Sequence, residues 1–439
     1  RKGKLVWAPS AGAVLRAIGV FGRSLQELTL PENIGDDHPE DGVEPVDLMP
    51  DLHALPDIWT PVKGYDRLVR RLHAMGYREE TGASPGNLVL VPYDWRLSNR
   101  YNAERLRGIV QPALQRWREQ GGEYAGAKVV FVCHSMGGLI ARWYIENCGG
   151  ADHTRKLITF GTPYRGAVKA LEQLVNPRSG FGWLSEDLTR FVRSMPSLHQ
   201  LLPEYACIEH GNGLAKIGEL VVPELDTAMT ADAMAFHTAL IKAEADRPAS
   251  LAMTHAIVGA RQPTWTSIQI TAGRVDPLDT IGADNDYGDS TVPLTGAIGH
   301  NLPLDTNQVR RIIDKHGNLQ RNPQALDEMA EIITARPIRR RAPHVVGVRV
   351  TVPEFLRAGE DLPVTVAIEA RHAIKVTVRD ESGEEIHARA PRPRDGHVTT
   401  TFTDLPPGGY AVDVTGLHPG SPVAPVRSTV VIGADLAGA

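Results

Sequence analysis

The sequence predicts an α/β domain followed by an all-β domain, and three observations carry that prediction. Up to about residue 335, short β-branched or aromatic runs alternate with amphipathic stretches, the pattern of a parallel sheet covered by helices. One such run, residues 128–132, passes through Cys133-His134-Ser135-Met136-Gly137 straight into an apolar stretch of helical spacing. Beyond residue 345 the period changes to two, with turn residues between the runs.

Taken in order, residues 5–8, 88–91, 129–132, 157–160, 256–259 and 309–313 read as strands of the first domain. Residues 65–76, 101–120 and 139–148 read as the helices between them. The stretch from about 168 to 250 breaks the alternation. It is mostly helical, carries Phe181, Trp183 and Phe191, and has turns marked by Pro196 and Pro203, as expected of a cap inserted after a strand. Residues 336–344, rich in arginine and flanked by prolines, read as a solvated linker, lacking the interleaved aromatics of a nucleic-acid patch. Runs at 346–352, 362–368, 374–379, 398–403, 410–414 and 428–432 then form an immunoglobulin-like β-sandwich over 345–439. The sandwich has no cluster of titratable residues, so stability or contact with a protein partner is its expected role.

At 439 residues the chain is too long for one ordinary core. Hydrophobic residues make up 42% and charged residues 23%, as in water-soluble globular domains, and a net charge of −5 gives no footprint for nucleic acid. Three cysteines, Cys133, Cys148 and Cys207, fit free thiols better than a disulfide framework. No transmembrane stretch and no signal peptide is read, and a cytoplasmic location is expected; the first residue, Arg1, points to a trimmed N-terminus.

Strand, tight turn with serine at its tip, then helix is a nucleophile elbow, and it makes the first domain an expected α/β-hydrolase fold with a helical cap. Cys133 stands where the elbow usually has a glycine. A serine hydroxyl needs an imidazole to take its proton and a carboxylate to orient that imidazole, in the chain order serine, acid, histidine. Asp289, on the turn Tyr287-Gly288-Asp289-Ser290, is the candidate acid, with Asp284 and Asp286 as competitors. A calcium loop fits this cluster poorly, because the spacing is irregular and the terminal glutamate is missing. His316, between the last strand and a helix opened by Asn322-Pro323, is the candidate base and is preferred to His300. His134, beside the serine, is expected to pack into the elbow and border the substrate pocket, and Trp95 is expected to line that pocket. The backbone amide of Met136 is one expected oxyanion donor. No metal or cofactor is called for.

The blocks Val91-Pro92-Tyr93-Asp94-Trp95-Arg96, His134-Ser135-Met136-Gly137, Gly161-Thr162-Pro163 and Gly288-Asp289-Ser290-Thr291-Val292-Pro293, in that order, resemble the lecithin:cholesterol acyltransferase family. The resemblance spans roughly residues 1–330 and implies Ser135 as nucleophile, Asp289 as acid and His316 as base. It also implies Trp59 as part of the oxyanion loop. The lid cysteine pair of the animal enzyme has no counterpart, so a lipoprotein-directed role is not implied. Asp94 and Arg96 are read as a structural ion pair at the rim of the sheet.

The leading expectation is acyl transfer from an ester or lipid-like substrate through an acyl-Ser135 intermediate, with esterase or lipase behaviour as the default. Transfer to an alcohol acceptor and a non-catalytic binding module that keeps the fold are the alternatives. A further reading ties the enzyme to a partner through the β domain. It expects removal of the chain beyond Arg341 to leave turnover of a soluble ester unchanged.

Overall fold

The computed structural model describes residues 26–48, 64–82, 84–176, 185–211, 213–248, 251–302, 306–336, 345–369 and 372–433. The expected first strand at 5–8, the aromatic residues Phe181 and Trp183, and nearly all of the expected linker lie outside these residues.

The central sheet is parallel throughout, in the order Val129–His134, Thr154–Phe160, Met253–Gly259, Val309–Ile312. Its side chains alternate between two cores. Ile158, Phe160, Ile257 and Ile312 pack on one face against the helices Asp66–Ala74 and Pro323–Thr334. Phe131 and Leu157 pack on the other against Asn99–Arg118 and Gly137–Asn147. Burial on both faces is why these strands read as near-continuous apolar runs. Residues 88–91 differ from expectation: Leu88 makes a single bridge to Glu79 and no ladder forms. Leu88 and Val91 still turn into the two opposite cores, and the sequence reports that burial, not the hydrogen bonding of the backbone.

Between Thr154–Phe160 and Met253–Gly259 stand the helices Val168–Val175, Ser185–Arg193, Pro196–His199 and Thr227–Asp246. The same insertion also supplies two short strands, Ile208–His210 and Gly213–Ala215, which join Ser267–Thr271 and Arg274–Leu278 in a small sheet. Three-residue strands are too short for their alternation to register in sequence. The largest apolar cluster lies where the insertion meets the elbow, uniting Leu171, Phe191, Leu198, Phe236 and Ile268 with Met136 and Leu139.

The C-terminal part forms two sheets around one apolar core. Val348–Thr351, Leu362–Ile368 and His397–Phe402 make a three-stranded antiparallel sheet. The other has the order Phe355–Leu356, Val426–Ile432, Gly408–Gly416, Ile374–Arg379, Glu385–Arg389. All five residues of the edge strand Glu385–Arg389 are exposed, so it carries no apolar alternation to read.

Candidate active site

Ser135 follows the strand Val129–His134 and precedes the helix Gly137–Asn147. Its φ of +53° puts a side-chain-bearing residue in the left-handed region, a conformation held only where the surroundings enforce it. They do so from the neighbouring strand's end: Ser135 N–H donates to the Phe160 carbonyl at 2.9 Å, and the Thr162 hydroxyl donates to the Ser135 carbonyl at 2.8 Å. Thr162 leaves no room on the helix opposite. A Cβ on Gly138 would stand 2.1 Å from the Thr162 hydroxyl oxygen, so glycine is required there. Cys133 accommodates the elbow as a half-buried free thiol, and desolvation pushes its pKa up to about 12. Cys133, Cys148 and Cys207 are all free thiols.

His316 opens a short 3-10 turn after the strand Val309–Ile312, and Asn322 caps the helix that follows by accepting from Gln324 and Ala325 N–H. Its Nε2 lies 2.8 Å from Ser135 Oγ and its Nδ1 lies 2.8 Å from Asp289 Oδ2. With Nδ1–H donating to the carboxylate, Nε2 is left to accept the serine proton. His316 N–H also donates to the Asp289 carbonyl at 2.8 Å, so histidine and aspartate are joined twice. Asp289 is buried and its Oδ1 accepts from Thr291 and Val292 N–H at 3.0 and 2.7 Å.

Three glycines give this pair its space. A Cβ on Gly161 (φ +57°) would meet Asp289 Oδ2 at 2.9 Å and His316 Nδ1 at 3.0 Å. On Gly259 it would meet Asp289 Cβ at 2.3 Å, and on Gly288 the Val292 carbonyl at 2.0 Å. Gly161 and Gly288 lie inside blocks already singled out; Gly259 ends a strand and gave no signal.

The competitors go elsewhere. Asp284 is exposed, and Asp286 accepts from Thr295 N–H at 2.5 Å. His300 is half-exposed and paired with Glu204 at 2.9 Å. His134 stands behind the base instead of bordering a pocket with its polar atoms. Its Nε2–H donates to the His316 carbonyl at 3.0 Å and its Nδ1 accepts from the Tyr65 hydroxyl at 3.1 Å. Burial, with nearby His316 adding to it, drives its pKa down to about 3, so the ring is neutral. Trp95 is half-buried and meets Phe191 of the insertion edge-on at 6.0 Å, beside the Met136 and Leu139 cluster. Trp59, with the rest of 49–63, lies outside the described residues.

Asp94 and Arg96 do form an ion pair. Arg96 Nε and Nη2 donate to the two Asp94 oxygens at 3.0 and 2.6 Å. Arg96 Nη1 reaches Asp41 Oδ2 at 2.7 Å and the Leu28 carbonyl at 2.9 Å. Sequence reasoning missed Asp41, Tyr65, Gln262, Thr264 and Asp314. The Thr264 hydroxyl accepts from Gly288 and Ser290 N–H at 3.1 and 2.9 Å, holding the acid loop. Asp314 accepts from Lys315 N–H at 2.9 Å and from the Asn322 amide at 2.8 Å, and burial lifts its pKa to about 6. No group of residues fit to hold a metal ion is found among the described residues, and no described helix is long and apolar enough to cross a membrane.

A parallel sheet wrapped by helices, with a serine elbow at one strand end, is the lipase-like α/β-hydrolase architecture. Residues 55–258 match the family model of lecithin:cholesterol acyltransferase, so this part of the chain is similar to that family. No curated protein matches the chain. Among solved structures, it is similar to the Tle4–Tli4 complex at 15% identity and a TM-score of 0.41, covering 62% of this chain and 79% of that one. It is also similar to Bacillus licheniformis lipase BlEst2 in its propeptide form at 13% identity and a TM-score of 0.30, covering 78% and 85%. CopC from Methylosinus trichosporium OB3b matches at 13% identity and a TM-score of 0.18, covering 20% of this chain and 91% of that one.

Proposed function

We propose that this chain is a serine-dependent enzyme of lipid-ester acyl transfer, with Ser135 as nucleophile, His316 as base and Asp289 as orienting acid. The observation that carries the reading is the unbroken chain of two 2.8 Å contacts from Ser135 Oγ through the His316 ring to Asp289 Oδ2. A family domain associated with lipid ester hydrolysis or acyl transfer supports the same class.

In the proposed reaction Ser135 Oγ attacks the ester carbonyl as its proton passes to His316 Nε2. Asp289, fixed by two N–H donors, stabilises the resulting imidazolium without taking its proton. The oxyanion is proposed to be met by the amide of Met136 at the helix start; a second donor, which the resemblance implies near Trp59, lies outside the described residues. When the ester C–O bond breaks, the leaving alkoxide takes the proton from His316 and the acyl group stays on Ser135. Water then attacks with His316 again as base, regenerating the serine and releasing the acid. Hydrolysis is the default because water needs no dedicated site, and the half-buried Trp95, packed on the apolar cluster beside the elbow, is the side chain proposed to meet the acyl group.

Intact-mass labelling with a fluorophosphonate tests the reading. One adduct on the wild type, absent in Ser135→Ala, is expected; an unlabelled wild type, or labelling that persists in the variant, would overturn it. A panel of esters with and without added alcohols then separates hydrolysis from transfer.

A further inference from the structure

We propose that the C-terminal β domain is a positioning element of the reaction centre, acting on Asp289 through Gln262. The proposal rests on the triad reading above and goes beyond it by assigning a role to a domain with no catalytic groups of its own.

Gln262 follows the strand Met253–Gly259 and is fully buried. Its backbone pairs with the acid loop in both directions: Gln262 N–H donates to the Gly288 carbonyl at 3.0 Å, and Gly288 N–H donates to the Gln262 carbonyl at 3.1 Å. Its side chain faces the other domain. The amide Nε2–H donates to the Val348 carbonyl at 2.9 Å, and Val350 N–H donates to Oε1 at 3.2 Å. One residue therefore ties Gly288, just before Asp289, to the first strand of the β domain: its backbone holds Gly288, and both ends of its side-chain amide are satisfied by the strand's backbone. A glutamine held this way cannot slide along that strand without leaving a buried polar group unpaired.

Neighbouring contacts act in the same direction. The Arg349 guanidinium lies over the Tyr287 ring at 5.1 Å, two residues before the acid. On the histidine side, Ile313 packs on the β-domain core, and Lys169 meets Glu354 at 2.7 Å. Ser135, in contrast, is held from within the parallel sheet by Phe160 and Thr162. The nucleophile thus belongs to one rigid body, and the loops bearing its two partners are braced on a second. The distances that decide proton transfer then depend on how the second is seated, where a misplacement of about 1 Å can cost about a hundredfold in rate. This reverses the expectation that turnover survives loss of the β domain.

The test uses the full chain and two substitutions approaching the contact from opposite sides. Gln262→Met keeps length and packing but removes both hydrogen bonds. Val350→Pro removes the donor to Oε1 on a strand at the edge of its sheet, where proline does not cut the ladder, and exchanges one buried apolar side chain for a slightly different one. Each variant is checked by circular dichroism at a temperature well below its unfolding midpoint. The readouts are the second-order fluorophosphonate labelling rate at Ser135 and the steady-state constants for a soluble nitrophenyl ester. Labelling and kcat are expected to fall about tenfold or more in both variants while KM stays within about twofold. Glu385→Gln, on the exposed outer edge of the β domain, is expected to match the wild type. If either folded substitution labels within about twofold of wild type, the proposal is overturned. A wild type that does not label at Ser135 would instead sink the triad reading, so the two failures are distinguishable. Should Gln262→Met fail to fold, Val350→Pro alone decides.

Discussion

Gly259 and Asp289 approach so closely that a Cβ on the glycine would stand 2.3 Å from the Cβ of the aspartate. The end of one strand and the acid loop occupy adjoining space, and only a residue without a side chain permits both. Gly259→Ala should push Asp289 away from His316 and lower kcat about a hundredfold, with little change in KM. Steady-state kinetics on a soluble ester check this, and wild-type kcat in the variant would contradict the steric account.

The two histidine candidates separate cleanly in the structure, and kinetics should separate them too. Ser135→Ala and His316→Ala are each expected to lower ester turnover by about 10⁴-fold or more. His300→Ala, which only releases a half-exposed contact to Glu204, should stay within about twofold. A large loss in His300→Ala with modest loss in His316→Ala would reassign the base.

Arg96 is nearly fully buried, with Asp94 and Asp41 around it. Arg96→Met would leave two carboxylates facing each other without their cation. The expected cost is about 3–5 kcal/mol of stability, because removing one partner strands the others in a poor solvent. Urea unfolding measures it. A loss of only a few tenths would mean that water reaches the site.

His134 makes stability depend on acid. Its ring is neutral in the folded protein, with a pKa near 3 against an ordinary 6.5, so protons bind preferentially to the unfolded chain. Stability present above pH 6.5 should therefore decline as pH falls toward 3, by up to about 1.4 kcal/mol per unit from this group. His237 and His255, also lowered by burial to about 4, contribute in the same direction. The difference between wild type and His134→Gln isolates the His134 share, and parallel curves for the two proteins would refute it.

Much of this architecture is legible in the sequence itself. The strand runs at 129–132, 157–160 and 256–259 sit inside observed strands, because strands buried on both faces leave unbroken apolar runs. Ser135, Asp289 and His316 were singled out because each stands at a strand end marked by glycine or by a helix cap, and the structure brings the three side chains together. The residues that went unseen act through long-range contacts. Gln262 is an ordinary polar residue until Val348 lies beside it, and Asp41 acquires meaning only from Arg96, 55 positions away. The edge strand Glu385–Arg389 escaped for a different reason: with every side chain in solvent, nothing fixes its period.

The Gln262 contact also orders the way the molecule comes together. Ser135 and its strand and helix are neighbours along the chain and can form through short loops. The partners of the Gln262 side chain lie 86 and 88 residues downstream. Contacts across such separations close late, since the entropy of the intervening chain must be lost before they form. The serine elbow is therefore expected early in folding and the seating of the acid loop late. On that order, a chain emerging from the ribosome would present its nucleophile before it holds the means to activate it.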